Sequence, residues 1–307
     1  MSDYRYLYGP VPSRRMGISL GISPIPQGTC NHACIYCQLG RTSHMTNTPE
    51  MFFEVEAILG EFISWQKTGK AVDVITIVGE GEPTLYKGLG DLLRGLKALT
   101  QIPVAVITNG ALLYDPAVCE GLLAADIVLP SVDAADEATY KRINRPHGNL
   151  NFHQVVGGLK SFAGNYKGQL WIETMLVKGV NDDDEALWGL KKLMDEIQHD
   201  RVYINTPVRP PAESEVEEPS KDRVERAIEI LGGIAIDHLV SEGFSSDIED
   251  DFQAVLSIIK RHPMNQFEVK SFLTLRGNPD PEALLERLAA SEAVKVVAYK
   301  GYHTYRG

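Results

Sequence analysis

The chain has 307 residues, 44% of them hydrophobic and 23% charged, the balance of a soluble globular protein with room for one large domain or a barrel plus a small appendage. No run of 18 or more apolar residues occurs and the first residues lack the apolar core of a signal peptide, so neither a spanning helix nor a secretory leader is expected. A net charge of −11 counts against a partner gripped by its phosphates and makes nucleic acid the disfavoured partner, although a local basic patch stays compatible with it.

The first segment carries Pro10, Pro12 and the pair Arg14-Arg15, and then alternates at Ile18, Leu20 and Ile22. That alternation predicts a strand leading straight into a cysteine-rich loop. The two arginines read first as solvated charges and second as contacts to an anionic substrate.

Three of the four cysteines fall in Cys30-Asn31-His32-Ala33-Cys34-Ile35-Tyr36-Cys37. Thiolates are soft ligands that select iron–sulfur clusters, zinc or copper(I). Three of them on a short loop can hold three corners of a four-iron cluster and leave the fourth iron open. Two blander readings compete. The positions also match the buried face of a helix, but Gly28, Thr29, Asn31 and His32 make a poor apolar helix start. Structural zinc wants four ligands, commonly in two pairs; no second pair exists, and only His32 offers itself as a fourth. Thiols clustered in this way point to a reducing compartment, so the expected location is cytoplasmic.

The spacing, with an aromatic residue directly before the last cysteine, resembles the signature of the radical S-adenosylmethionine (SAM) superfamily. Two longer strings narrow it: Tyr8-Gly9-Pro10-Val11-Pro12-Ser13-Arg14-Arg15 and Cys37-Gln38-Leu39-Gly40-Arg41-Thr42. They are similar to the opening of Fe–S oxidoreductases grouped with the wyosine-synthase-like radical SAM proteins. The resemblance implies that Cys30, Cys34 and Cys37 hold one [4Fe–4S] cluster, that SAM binds the open iron, and that Tyr36 lies near the adenine.

Beyond the loop, apolar spacing predicts a helix over 50–67 and a buried strand over 72–78. The strand runs into Gly79-Glu80-Gly81-Glu82-Pro83. Gly and Pro after a strand are ordinarily a turn, but this string resembles the superfamily's Gly-Gly-Glu-Pro motif, which meets the SAM ammonium group. Gly81 would allow close backbone approach, and Glu82 would accept from the amine. Glu80 departs from the small residue usual there, and its role is open. The alternation continues with helices over 88–100, 116–124 and 185–198, and strands over 104–107, 127–129, 170–177 and 202–205. Cys119 reads as core. Helical stretches flank 143–147, where Arg142, Arg145 and His147 are equally a solvated surface or anion contacts.

Such alternation predicts an α/β fold built of βα units around a parallel sheet, wound as a partial (β/α)6 TIM-like barrel. The unusual strings all lie at strand ends, where βα barrels carry their chemistry. By resemblance, Thr108, Asn109, Ser131 and Asp133 would meet the SAM carboxylate and ribose. Glu173 shares a strand face with Trp171 and Met175 and is the candidate catalytic acid near SAM or substrate; the alternative is a satisfied structural acid.

The proline- and acid-rich 207–219 predicts a loop over the barrel mouth or a linker. A helix follows over 223–231, and 234–239 reads as one more strand or an irregular return. The expected domains are a barrel over 1–245 and a small winged-helix-like unit over 246–307, whose order is helix, helix, helix and terminal β element. The latter reads as a docking or lid module first and a nucleic-acid binder second. The expected function is reductive SAM cleavage to a 5′-deoxyadenosyl radical that abstracts hydrogen from a peptide, protein or small metabolite. Electrons would come from a partner such as flavodoxin or ferredoxin. The alternatives are wyosine-like tRNA modification by the same chemistry, and a non-catalytic Fe–S carrier or redox sensor.

Overall fold

The computed structural model describes residues 4–236, 244, 246, 248–299 and 302–307. The chain opens with an antiparallel hairpin of Leu7–Ser13 (β1) and Gly17–Ile22 (β2). Thr29–Cys30 (β3) then pairs with His44–Met45 (β4) across the cysteine loop. The alternating part comprises Val55–Gln66 (α1), Val74–Ile77 (β5), Leu89–Leu99 (α2), Val104–Thr108 (β6), Pro116–Leu122 (α3), Ile127–Pro130 (β7), Glu137–Ile143 (α4), Phe152–Asn165 (α5), Gln169–Met175 (β8), Asp184–Asp195 (α6), Arg201–Asn205 (β9), Lys221–Leu231 (α7) and Ile234–Ala235 (β10). One eight-stranded sheet runs β1-β2-β5-β6-β7-β8-β9-β10, parallel at every junction from β2 to β10. This is an α/β fold with a large parallel sheet.

The strand alternation explains the layering. Leu20, Ile22, Ile75, Ile77, Val106, Ile172 and Ile204 point to one face and pack against Ile58, Phe62, Leu93 and Leu187 of the helices. Each such side chain contributes about 1.5–3 kcal/mol by leaving water. Their neighbours Val74, Ala105, Leu129, Trp171 and Tyr203 point the other way and form a second cluster with Ile236. One cluster fed by β5 through β9 and by the residue after β10 requires the sheet to curl on itself. One step along each strand from this apolar plug, the inward residues become polar and partly exposed: Asn109, Ser131, Glu173 and Asn205. These four residues lie together at the carboxyl ends of the strands.

The six expected strands are present as β2 and β5 to β9. β1 was not expected because Pro10 and Pro12 lack N–H donors; it sits at the sheet edge, where proline is tolerated. The 50–67 helix begins only at Val55, since Met51 to Glu54 run without regular structure. Of the 234–239 strand only Ile234–Ala235 forms, and 237–239 lie outside the described residues.

The tail contains Asp251–Ile259 (α8), Met264–Asn265 (β11), Gln266–Leu275 (α9), Pro281–Ala289 (α10), Lys295–Tyr299 (β12) and Tyr302–Arg306 (β13). Its strands form an antiparallel sheet ordered β11-β13-β12. Val255, Ile258, Met264, Val269 and Phe272 make a core of its own, joined by Tyr8, Val11 and Val78 from the main sheet. The expected boundary falls at Ser245, outside the described residues.

Arg209, from the loop after β9, joins the two parts. It donates to the Pro263 carbonyl (2.6 Å) and to His262 Nε2 (2.8 Å). Arginine has only donors to offer, so His262 accepts here as a neutral ring. Burial, with Arg209, Arg14 and Arg15 nearby, pushes its pKa well below the usual value. A depressed pKa means that the unfolded chain binds the proton first, so stability present above pH ~6.5 is lost as pH falls. His262→Gln is expected to flatten the dependence of the melting temperature on pH below that point. An unchanged slope would remove His262 as its source. Among the described residues, no helix is long and apolar enough to cross a membrane.

Candidate active site

The cysteine loop is held from three sides. On one side Gly28 N–H donates to the Glu80 carbonyl (2.6 Å), and Glu82 N–H to the Thr29 carbonyl (3.0 Å). On the second, the segment after α4 runs along the loop, with Ala33 N–H to Asn144 O (3.0 Å), Ile35 N–H to Ile143 O (3.0 Å) and His147 N–H to Asn31 O (2.8 Å). On the third, Glu213 N–H reaches Ile35 O (3.0 Å), while its buried carboxylate binds Arg41 (2.7 Å) and Arg145 (2.5 Å). The 207–219 loop therefore lies against the cysteine loop. Arg145 pairs with Glu213, and Arg142 is exposed on α4.

Cys30, Cys34 and Cys37 are free, partly buried thiols. Cys30 Sγ faces the His32 N–H (3.4 Å) and Asn109 Nδ2 (3.7 Å), and Cys34 Sγ faces Asn144 Nδ2 (3.5 Å). Donors aimed at sulfur favour its anionic form. Burial opposes that form, pushing Cys30 up to about 12, with Glu82 adding to the rise, and raising Cys34 and Cys37 as well. Thiols built in this way ionise when a cationic centre binds them. The donor set fits an iron–sulfur cluster, whose soft irons supply that charge and take one thiolate each. Among the described residues, no three His, Cys, Asp or Glu side chains are gathered as a single metal ion would require. His32, the alternative fourth zinc ligand, is buried against Tyr140 (Nε2 to hydroxyl, 2.7 Å), and burial drives its pKa down to about 3. Cys119 lies apart on α3 against the helical core, its thiol on the Leu113 carbonyl.

The loop leaving β5 is stitched to β3. A Cβ on Gly81 would lie 1.9 Å from the Thr29 carbonyl oxygen, so only glycine fits. Glu82 is 2% exposed. Its Oε1 accepts from Thr84 N–H (2.9 Å), Thr84 Oγ1 (2.6 Å) and Thr108 Oγ1 (2.6 Å), and its Oε2 from Asn109 N–H (2.7 Å). Burial raises its pKa and these donors oppose the rise. Glu82 thus ties the β5 exit to the β6 exit. Glu80 turns the other way, towards Ser23 Oγ (3.2 Å) and Arg261 Nε of the tail (3.3 Å). The residue that departs from the motif is the one that holds the tail.

Asn109 bridges outward from that brace, its Nδ2 on Asn31 Oδ1 (2.6 Å). Asp133, buried beyond β7, accepts from the Tyr36 hydroxyl (2.5 Å), Asn144 Nδ2 (2.7 Å) and Met175 N–H (2.8 Å), and burial lifts its pKa. This fixes the Tyr36 ring against β8. Ser131 is partly exposed at the end of β7, bridged to Glu173. Glu173 lies beside it on β8, paired with Arg15 and with Asn205 Nδ2 (3.2 Å). All the expected site residues therefore converge at the strand ends. Asn31, Asn144 and Glu213 were not foreseen; each acts through a partner more than 70 residues away in sequence, which spacing alone does not reveal.

These features define the class first: an α/β protein with a thiol-lined cofactor site at the carboxyl ends of its parallel strands. Residues 25–187 match the model of the radical SAM superfamily, more than half of the chain. The chain belongs to that superfamily; it is a radical SAM enzyme, and its cofactors are a [4Fe–4S] cluster and SAM. It is 35% identical over 279 residues to a UPF0026 protein of Methanocaldococcus jannaschii, covering 87% of this chain and 85% of that one. It is 39% identical over 221 residues to a protein named GTPase Obg from Brachyspira hyodysenteriae, covering 72% of this chain but only 32% of that protein. Among solved structures it resembles TYW1 with a lysine-pyruvate adduct bound, with a TM-score of 0.54 at 18% identity, covering 69% of this chain and 72% of that one. That likeness concerns the fold.

Proposed function

We propose that Cys30, Cys34 and Cys37 hold the cluster, and that the strand-end face carrying Asn109, Ser131, Glu173 and Asn205 receives the substrate. Tyr36, Gly81, Glu82, Thr108, Asn109, Ser131 and Asp133 surround SAM, some by contact and some by bracing the loops that make contact. When bound, the cluster supplies the electron that cleaves SAM to a 5′-deoxyadenosyl radical, which takes hydrogen from the substrate. The side chains exclude water and orient. Asn144 and Asn109 aim N–H groups at the ligand sulfurs, and the Glu82 brace keeps the two SAM-side loops in register. Glu173, held by Arg15 and Asn205, serves as a fixed acid facing the substrate. We read the architecture as a partial (β/α)6 barrel over 1–245 with a winged-helix-like docking or lid unit over 246–307. A peptide, protein or small metabolite is the favoured substrate, and a flavodoxin- or ferredoxin-type protein the electron donor.

The observation that carries this reading is the set of three thiols, two of them faced by asparagine amides, beside the Glu82 brace. An electron carrier has no use for that brace. The test is anaerobic reconstitution, reduction with dithionite, addition of SAM and chromatography of 5′-deoxyadenosine. Iron at about four per chain and nucleoside formation lost in Cys34→Ala are expected. A bound cluster that never cleaves SAM would favour the carrier, and a colourless zinc protein would end the proposal.

A further inference from the structure

The last strand of the tail ends beside the cysteine loop. Gly40 closes the turn after Cys37, its N–H on the Cys37 carbonyl (3.1 Å). With φ at +95°, Gly40 takes a backbone conformation that side chains disfavour, and the Arg306 guanidinium lies over it: a Cβ there would touch Cζ and Nη1 at 3.9 Å. Nη1 of Arg306 is shut off from solvent and meets no hydrogen-bond acceptor among the described residues. A buried guanidinium donor is costly to leave unpaired. The guanidinium therefore stands at the turn that Cys37 opens, a cation against the cysteine loop. Gly40 and Arg306 line one cleft of about 550 Å³, together with Leu39, Arg41, Glu213 and Lys295.

Resting on the assignment of Cys37 as a cluster ligand, we propose that Arg306 is a positioning charge, supplied by the tail, that sets the reduction potential of the cluster. A fixed cation close to a cluster favours the state carrying one more electron. The step is a plain one-electron transfer: an external low-potential donor is oxidised by one electron, the cluster is reduced by one, and no proton moves. The tail is then part of the redox site as well as a cover for it.

The test is a redox titration of the reconstituted full-length protein, followed by electron paramagnetic resonance and without SAM turnover. Arg306→Met is expected to lower the equilibrium constant for reduction at least tenfold, about 59 mV for one electron, at unchanged iron content. Arg306→Lys should restore most of the loss. Arg306→Gln, which keeps a donor but drops the charge, should follow the methionine variant, and it also serves if that variant loads cluster poorly. Uncharged variants that hold full iron at the wild-type midpoint would overturn the proposal. Cys37→Ala separates this outcome from the ligand assignment: full cluster retention there would remove Cys37 as a ligand, whatever Arg306 does.

Discussion

Gly81→Ala is expected to impair both halves of the cofactor site at once. The added Cβ would lie 1.9 Å from the carbonyl oxygen of Thr29. That atom is backbone, in the two-residue strand that also carries Cys30, so relief comes only by displacing a cluster ligand or the SAM-side loop. Overpacking of this kind costs about 1–3 kcal/mol, and 1.4 kcal/mol is already tenfold in affinity. Iron content after reconstitution should drop, and SAM affinity measured by equilibrium dialysis should fall by at least about tenfold. Wild-type iron content together with wild-type SAM affinity would show that the close approach is unimportant.

Glu82→Ala is the second large effect. The carboxylate accepts from four donors in a buried space. The Thr84 and Thr108 hydroxyls can rotate to new acceptors, but the backbone N–H groups of Thr84 and Asn109 cannot. Each orphaned donor costs about 1–3 kcal/mol, which a thermal melt of the cluster-free protein resolves. Glu82→Gln keeps one acceptor oxygen and turns an amide towards donors, so its loss should be smaller. SAM binding should fail in the alanine variant even where the cluster loads. If it persists with an intact cluster, the assigned SAM contact is wrong; if the melt is also unmoved, so is the brace.

The parallel sheet was legible because its strands are short β-branched runs between strongly periodic helices. The first strand was not, since its two prolines obscure a pairing that only the sheet edge permits. The cysteines announced themselves by spacing. Asn144 and Glu213 did not, because a single asparagine after a helix or one acid in a proline-rich loop has no period, and its meaning lies wholly in what the fold brings to it. Glu82 and Asp133 were recognised as site residues by resemblance. Their saturation with internal donors, which makes them braces within the site, emerges only once the strand ends are set side by side. Glu80 is the converse case: its oddness was visible in the sequence, whereas its partner, Arg261, stands 181 positions away.

That pair has an evolutionary corollary. An acid planted inside the cofactor motif would be left half-buried without its cation if the tail were deleted or exchanged for an unrelated module. The barrel cannot shed its appendage in one genetic step without stripping Glu80 of its cation and leaving it the Ser23 hydroxyl. Without Glu80, Arg261 would keep the Arg5 carbonyl and the Tyr8 ring but lose its carboxylate. Glu80 and Arg261 are therefore expected to change together among relatives.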